Sequence, residues 1–281
     1  MTFRTRFAPS PTGPLHLGHA YSALLAHDRA RAAEGIFLLR IDDIDQGRAR
    51  PEWEAQIVTD LSWLGITWDA PIRRQSDHLP EYRAALDSLA ARGLTYPCRC
   101  SRRDIREAAS APQEGATHGP DGIVYPGTCR GRTMAEAGPG DAIRLDMAKA
   151  VATCADLPGL IETGAAHRGT HQLEKSQLMQ TVGDVVLARP GMAASYHLSV
   201  VVDDAAQHVT DVIRGEDLFE AAILQAFLAT LLGRPLPTYH HHRLIRDEAG
   251  KRLAKRDDAR AIQSFRDAGA TPEDIRRMVG L

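Results

Sequence analysis

The sequence predicts an α/β fold built on a parallel sheet, with an irregular subdomain set into it. Three observations lead there. Strand-like and helix-like patterns alternate through residues 1–95, periodicity fades into Gly- and Pro-rich chain between about 96 and 180, and apolar runs resume afterwards. A chain of 281 residues, 43% apolar and 25% charged, can bury a real core.

The elements follow in order. A first strand at Thr2 to Phe7 runs into "APSPTGPLHLGH", a stretch too rich in proline and glycine for a packed element. "HAYSALLAHDRARAAEG" reads as a helix stopped by Gly35, and "IFLLRI" (Ile36 to Ile41) as a buried parallel strand. Pro51 suits a first helical position, with Trp53, Ile57, Leu61 and Leu64 at helical spacing behind it. A further helix spans about Leu79 to Arg92 and ends at Gly93. After the irregular region, "DVVLA", "YHLSVVVDD" and "HVTDVIRG" read as the sheet resuming, followed by a helix with Ala221, Leu224, Phe227, Leu228 and Leu231 on its apolar face. "TYHHHRLIRDEAGKRLAKRDDAR" is polar and cation-rich, and a helix begun by Thr271 and Pro272 closes the chain. The expected division is 1–95 and 181–240 for the two halves of the framework, 96–180 for the insertion, and 241–281 for a cationic loop with C-terminal helices.

A net charge of -2 argues against coating nucleic acid through bulk positive charge. "MTFRTRF" has no apolar leader and no run of eighteen apolar residues occurs, so a cytoplasmic protein without a membrane partner is expected. In that reducing setting Cys98, Cys100, Cys129 and Cys154 read as a metal site rather than disulfides. In "HHH" at 240–242 successive side chains of a strand point to opposite faces, so one shared ion is not expected.

A Pro/Gly turn between strand and helix lets the backbone approach a ligand, and the helix start offers unpaired N–H groups to phosphate. His16 and His19, three apart around Gly18, can face that ligand together. The stretch "FAPSPTGPLHLGHAYSALL" resembles the first signature of class I aminoacyl-tRNA synthetases, here His16-Leu17-Gly18-His19. With "LLRIDDID", "YHLSVVVDDAAQHVTDVIRGEDL" and "GKRLAKRDDA" in the family's order, the chain resembles the glutamate-specific members. It stops about two dozen residues after the second signature, which narrows the resemblance to the glutamyl-queuosine tRNA(Asp) synthetases, whose anticodon-binding part is missing.

The resemblance implies a Rossmann-type class I catalytic domain with an inserted zinc-containing subdomain and a short helical C-terminal extension. It implies ATP-dependent activation of L-glutamate, with Mg2+ accompanying ATP, and transfer to the queuosine base of tRNA(Asp) by a monomer. His16, His19 and Lys255 become the catalytic residues, and Gly18 and Arg252 join them around ATP. In "RLAKR", Arg252 and Ala254 stand where the second signature more often has lysine and serine. Arg6, Phe7, Ala8, Pro9, Ser10, Asp42, Tyr196 and Arg214 are assigned to glutamate, with Arg6 and Arg214 for its side-chain carboxylate and Asp42, where the family more often has glutamate, for its ammonium. Without the resemblance, Arg214 reads as a surface partner of Glu216 or Asp217, and Asp42 as a strand-end turn residue; Asp43 and Asp45 read as structural. Cys98, Cys100, Tyr125 and Cys129 resemble the family's structural zinc site, one ion per chain, with His118 or Cys154 as alternatives to Tyr125. Competing readings are a truncated glutamyl-tRNA synthetase-like enzyme charging another tRNA, a small-molecule nucleotidyltransferase, and an inactive RNA-binding paralogue.

Overall fold

The computed structural model describes residues 2–109, 117–120, 122–246 and 260–281. Strand β1 (Arg4–Phe7) leads through the Pro/Gly loop into α1 (Leu17–Ala32). β2 (Ile36–Ile41) returns parallel to β1, pairing Arg4 with Ile36 and Phe7 with Leu39. α2 (Pro51–Trp63) starts on its proline and buries Ile57 and Leu61. β3 (Arg73–Arg74) extends the sheet in parallel, and α3 (Leu79–Ala91) ends before Gly93, whose φ of +69° suits glycine.

The next stretch holds β4 (Thr95–Cys98), α4 (Arg102–Ala109), β5 (His118–Gly119), β6 (Gly122–Ile123), β7 (Ala142–Leu145), α5 (Met147–Ala152), β8 (Gly159–Glu162), β9 (Gly169–Gln172), α6 (Lys175–Gln177) and β10 (Val186–Ala188). β4, β7 and β10 make a separate antiparallel sheet in the order β10-β7-β4, so "DVVLA" pairs within this subdomain and not with the parallel sheet. β8, which lies inside 96–180, instead pairs in parallel with the framework strand at Thr238–His242.

The chain then enters α7 (Tyr196–Ala206), β11 (Asp211–Gly215), α8 (Phe219–Leu231), β12 (Thr238–His242), α9 (Ile262–Asp267) and α10 (Pro272–Val279). α7 corrects the strand expected for "YHLSVVVDD". Ser195 caps it, its hydroxyl accepting the Leu198 N–H, and its Leu198, Val201 and Val202 enter the core. Packing overrides the β-branched preference of the Val run.

β11, β12 and β8 run parallel, with β9 antiparallel at the edge. Thr210, at the start of β11, donates its N–H to the Arg4 carbonyl at 2.9 Å, which sets β11 beside β1. The chain therefore proceeds from β1 to β2 and β3 on one side, and from β11 to β12 on the other. Between β1 and β11 lies a topological switch point, where strand ends diverge and open a crevice. α10 packs Ile275 and Val279 into the same core as α1, and Arg276 grips Asp28 bidentately at 2.7 and 2.9 Å. Among the described residues no helix is long and apolar enough to cross a membrane.

Candidate active site

The crevice is a cleft of about 540 Å³. Arg6, Phe7, Ala8, Pro9 and Ser10 line it from the end of β1, His16, Gly18 and His19 from the start of α1, and Asp42 from the end of β2. Tyr196 from α7 and Arg214 from β11 complete the set. All these residues, far apart in sequence, meet in one cavity. Ser22, Asp217 and His242 also line it and escaped the sequence reading.

Its floor begins with the two histidines. His16 caps α1: its Nδ1 accepts the Gly18 N–H at 3.1 Å, and the His16 N–H is in turn accepted by His19 Nδ1 at 3.2 Å. Each Nδ1 acts as an acceptor, so a neutral ring carries its proton on Nε2 and offers a donor there. The rings lie 3.8 Å apart, centroid to centroid. A Cβ at position 18 would stand 3.0 Å from His16 Cε1, so glycine is what lets the imidazole fold over the helix start. The loop is tied to the sheet where Asp42 donates its N–H to the Pro9 carbonyl at 3.0 Å.

The walls carry buried charge. Arg6 meets Asp204 of α7 through Nε at 2.9 Å and a second nitrogen at 3.3 Å. Fully buried Arg40 donates to Asp42 at 2.7 Å and to Asp204 at 2.6 Å. Asp203 takes Arg73 at 2.8 Å, Gln75 at 2.9 Å and the Tyr82 hydroxyl at 2.8 Å. Three arginines thus balance three aspartates, which is how buried ions survive desolvation. Burial pushes the Asp42 carboxyl up to about 6 against the pull of Arg40, while Arg6 and Arg40 overcome burial and hold Asp204 below the usual carboxylate range. The signal for this network stood in "VVVDD": two acids closing an apolar run need cations.

Arg214 is buried and not a surface partner of Glu216 or Asp217. It donates Nε to His241 Nε2 at 3.0 Å, one terminal nitrogen to Gln225 Oε1 at 2.7 Å and the other to the Leu218 carbonyl at 3.1 Å. The alternation expected of the three histidines holds. His240 meets Thr163 at 2.9 Å, His241 turns toward Arg214, and His242 faces the cleft. Asp43 accepts the Ser76 N–H and Asp45 binds Arg48, both structural tasks.

Arg252, Ala254 and Lys255 lie outside the described residues. The chain on either side of 247–259 meets the cleft: Leu244 and Ile245 line it, and Ala261 bridges to His16.

A second cluster sits on the antiparallel sheet. The Sγ atoms of Cys98, Cys100 and Cys129 lie within 4.8 Å of one another. The Tyr125 hydroxyl is 3.4 Å from Cys98 Sγ and 3.3 Å from Cys100 Sγ, and accepts the Cys129 N–H at 2.8 Å. His118 and Cys154 do not join this group. Burial pushes the Cys100 thiol up to about 11; at Cys129 burial is outweighed by the Tyr125 hydrogen bond, bringing that thiol down to about 7. Between this cluster and the first cleft lies a cavity of about 670 Å³, lined by Arg102, Arg106, Arg144 and Arg189 and sharing Tyr196 with the cleft.

Chemically, the first cleft offers two guanidinium groups, the Asp42 and Asp217 carboxylates, hydroxyls and two imidazole donors at a helix start. That set suits an acidic amino acid beside a phosphate. A family model for the catalytic domain of class I tRNA synthetases (E and Q) matches residues 2–281. The chain is similar to glutamyl-Q tRNA(Asp) synthetase of Rhodobacter capsulatus, 64% identical over 280 residues and 99% of each chain, and to that of Nocardia farcinica, 42% identical over 96% of this chain and 81% of the relative. Its fold is similar to the crystal structure of a glutamate tRNA ligase from Elizabethkingia meningosepticum in complex with its amino acid, with a TM-score of 0.76 and 27% identity. This chain is covered entirely in that match and spans 61% of the ligase.

Proposed function

The chain belongs to the class I tRNA synthetases for glutamate and glutamine, and from that premise we propose that it activates L-glutamate with ATP and passes the glutamyl group to the queuosine base of tRNA(Asp). The observation that carries this reading is the convergence of Arg6, Ser10, His16, His19, Asp42, Tyr196 and Arg214 on one cleft.

In the first step a glutamate α-carboxylate oxygen attacks the α-phosphorus of ATP, the bond to the β-phosphate oxygen breaks, and pyrophosphate leaves. The protein supplies little covalent chemistry here; position and charge stabilisation carry the rate. Arg214 and Arg6 receive the side-chain carboxylate, Asp42 the ammonium, and Ser10 and Tyr196 hydrogen-bond the rest of the amino acid. Phe7, Ala8 and Pro9 form the wall behind it. His16 and His19 donate from Nε2 to phosphate oxygens beside the Gly18 backbone. Lys255 and Arg252 are assigned to the leaving pyrophosphate; the described residues on either side of 247–259 border the same cleft. ATP enters as its magnesium complex.

In the second step a hydroxyl of the queuosine base attacks the glutamyl carbonyl and releases AMP, leaving an ester. The arginine-lined second cavity, which shares Tyr196 with the first, suits the arriving RNA. The donor set of Cys98, Cys100, Cys129 and Tyr125 fits zinc: bonds of about 2.3 Å to sulfur put tetrahedral ligand atoms about 3.8 Å apart, which these thiols approach. Such an ion would clamp the antiparallel sheet and take no part in the chemistry.

Two measurements test this. Glutamate-dependent ATP–pyrophosphate exchange without tRNA is expected, and its absence would remove the activation step. Labelled glutamate should enter queuosine-containing tRNA(Asp) as an alkali-labile product; equal labelling of unmodified tRNA(Asp) or of tRNA(Glu) would overturn the assigned acceptor.

A further inference from the structure

Arg6 and Arg214 differ in how their charges are held. Arg6 is bound bidentately to a carboxylate, Asp204. The partners of Arg214 are all neutral acceptors: His241 Nε2, Gln225 Oε1 and the Leu218 carbonyl. Among the described residues no carboxylate pairs with it. The nearest acid along its hydrogen bonds is Glu162, one imidazole away, where Oε2 accepts from His241 Nδ1 at 2.5 Å.

That acid is closely held. Glu162 is 2% exposed, and its Oε1 accepts the N–H groups of Gly164 at 2.5 Å and His241 at 3.0 Å. Accepting from Nδ1–H fixes the tautomer, so Nε2 is the acceptor that Arg214 needs. The ring itself stacks on Tyr239 and meets Phe219 edge-on. Burial and the Arg214 charge bring the His241 imidazole down to about 4, so it stays neutral near pH 7. Neither Glu162 nor His241 lines the cleft, whereas Arg214 does.

We propose that Glu162 and His241 are positioning residues for Arg214, a hydrogen-bonded relay that holds its guanidinium in place without neutralising it and so sets the cleft's preference for a carboxylate over a carboxamide side chain. The proposal rests on the glutamate reading above. A carboxylate in direct contact would spend the charge of Arg214; an imidazole spacer keeps it for the ligand.

The relay has a directional weakness. In Glu162→Gln the amide oxygen must face the two backbone N–H groups, which turns its NH2 toward His241 Nδ1. His241 then takes the other tautomer and presents an N–H to the N–H of Arg214. The side chain keeps its size, so a packing role alone would leave activity nearly untouched.

The test is ATP–pyrophosphate exchange by the full chain, with KM measured separately for glutamate and ATP and glutamine offered as an alternative substrate. Glu162→Gln and His241→Leu should raise KM for glutamate about tenfold or more, the effect of one lost charge-assisted hydrogen bond. Their KM for ATP should stay within about twofold, and the preference for glutamate over glutamine should fall. His241→Gln, whose amide oxygen can accept from Arg214, should recover most of the loss. Glu162→Gln and His241→Gln roughly keep volume, so the test stands if His241→Leu does not fold. An unchanged KM for glutamate in Glu162→Gln overturns the relay, as does a parallel rise in both KM values with a fall in Tm. Absence of exchange in the unaltered chain overturns the glutamate reading instead, and the relay's purpose with it.

Discussion

Asp42 shows how much a single position depends on its surroundings. It stands at the end of β2, donates its backbone N–H to Pro9 and accepts from Arg40, while its carboxyl faces the cleft. Burial raises it to about 6 despite that arginine. An ammonium needs the ionised form, so kcat/KM for glutamate in the exchange reaction should fall as pH drops through about 6, because that ratio reports the free enzyme. Above that pH the carboxylate is charged and the limb is flat. Asp42→Asn should lower kcat/KM on the order of a hundredfold, the value of a charge-assisted hydrogen bond, and abolish this inflection, as a pH series of exchange rates would reveal. Retention of the inflection in the variant would show that Asp42 is not its source. The residue's identity was readable from "RIDDID"; its environment was not, because Arg40, Asp203 and Asp204 come together only across the sheet and α7.

At the scale of elements, the antiparallel sheet β10-β7-β4 is shared between two cores: Leu145, Leu187 and Ala188 join the large one, while the β4 edge carries a small one. That small cluster comprises Tyr96, Cys98, Tyr125 and Cys129, with Cys100 and Ile105 packed against it. Four converging donors would replace the missing apolar area, as structural zinc does in small units. One zinc per chain is therefore expected by metal analysis, and Cys129→Ser should lose it. Amide exchange over 95–98 and 142–145 should quicken in that variant, while glutamate-dependent exchange keeps most of its rate because the first cleft uses none of these residues. Unchanged amide protection after zinc loss would refute the clamp. The spacing of "CRC" and "YPGTC" was legible, but not the pairing of "DVVLA" with β7, since an apolar run carries no label for its sheet.

For the whole molecule the arrangement of charge matters more than its sum. Net charge is only -2, yet Arg102, Arg106, Arg144 and Arg189 gather around the second cavity. Phosphate contacts release counterions, so the rate of transfer to tRNA(Asp) should fall steeply between about 50 and 200 mM salt, whereas exchange without tRNA should change little. Arg102→Glu should weaken transfer about tenfold and leave exchange intact, measured on the same preparation. Equal salt sensitivity of the two reactions would contradict this division between an activation cleft and an RNA-facing cavity.

What the sequence determined by itself was local or ordered along the chain. The strand, the glycine-bearing turn and the capped helix of residues 4–32 are set by neighbours within a few positions, and the order of the four signature stretches needs no folding to be read. Tertiary structure decided which groups share a cavity and in what state. It turned "VVVDD" from a strand into a helix that supplies carboxylates to Arg6 and Arg40, and brought Glu162 of β8 to His241 of β12. The physical reason is range: caps and turns are satisfied within one helical turn, whereas a buried charge must find its counter-ion wherever the sheet places one.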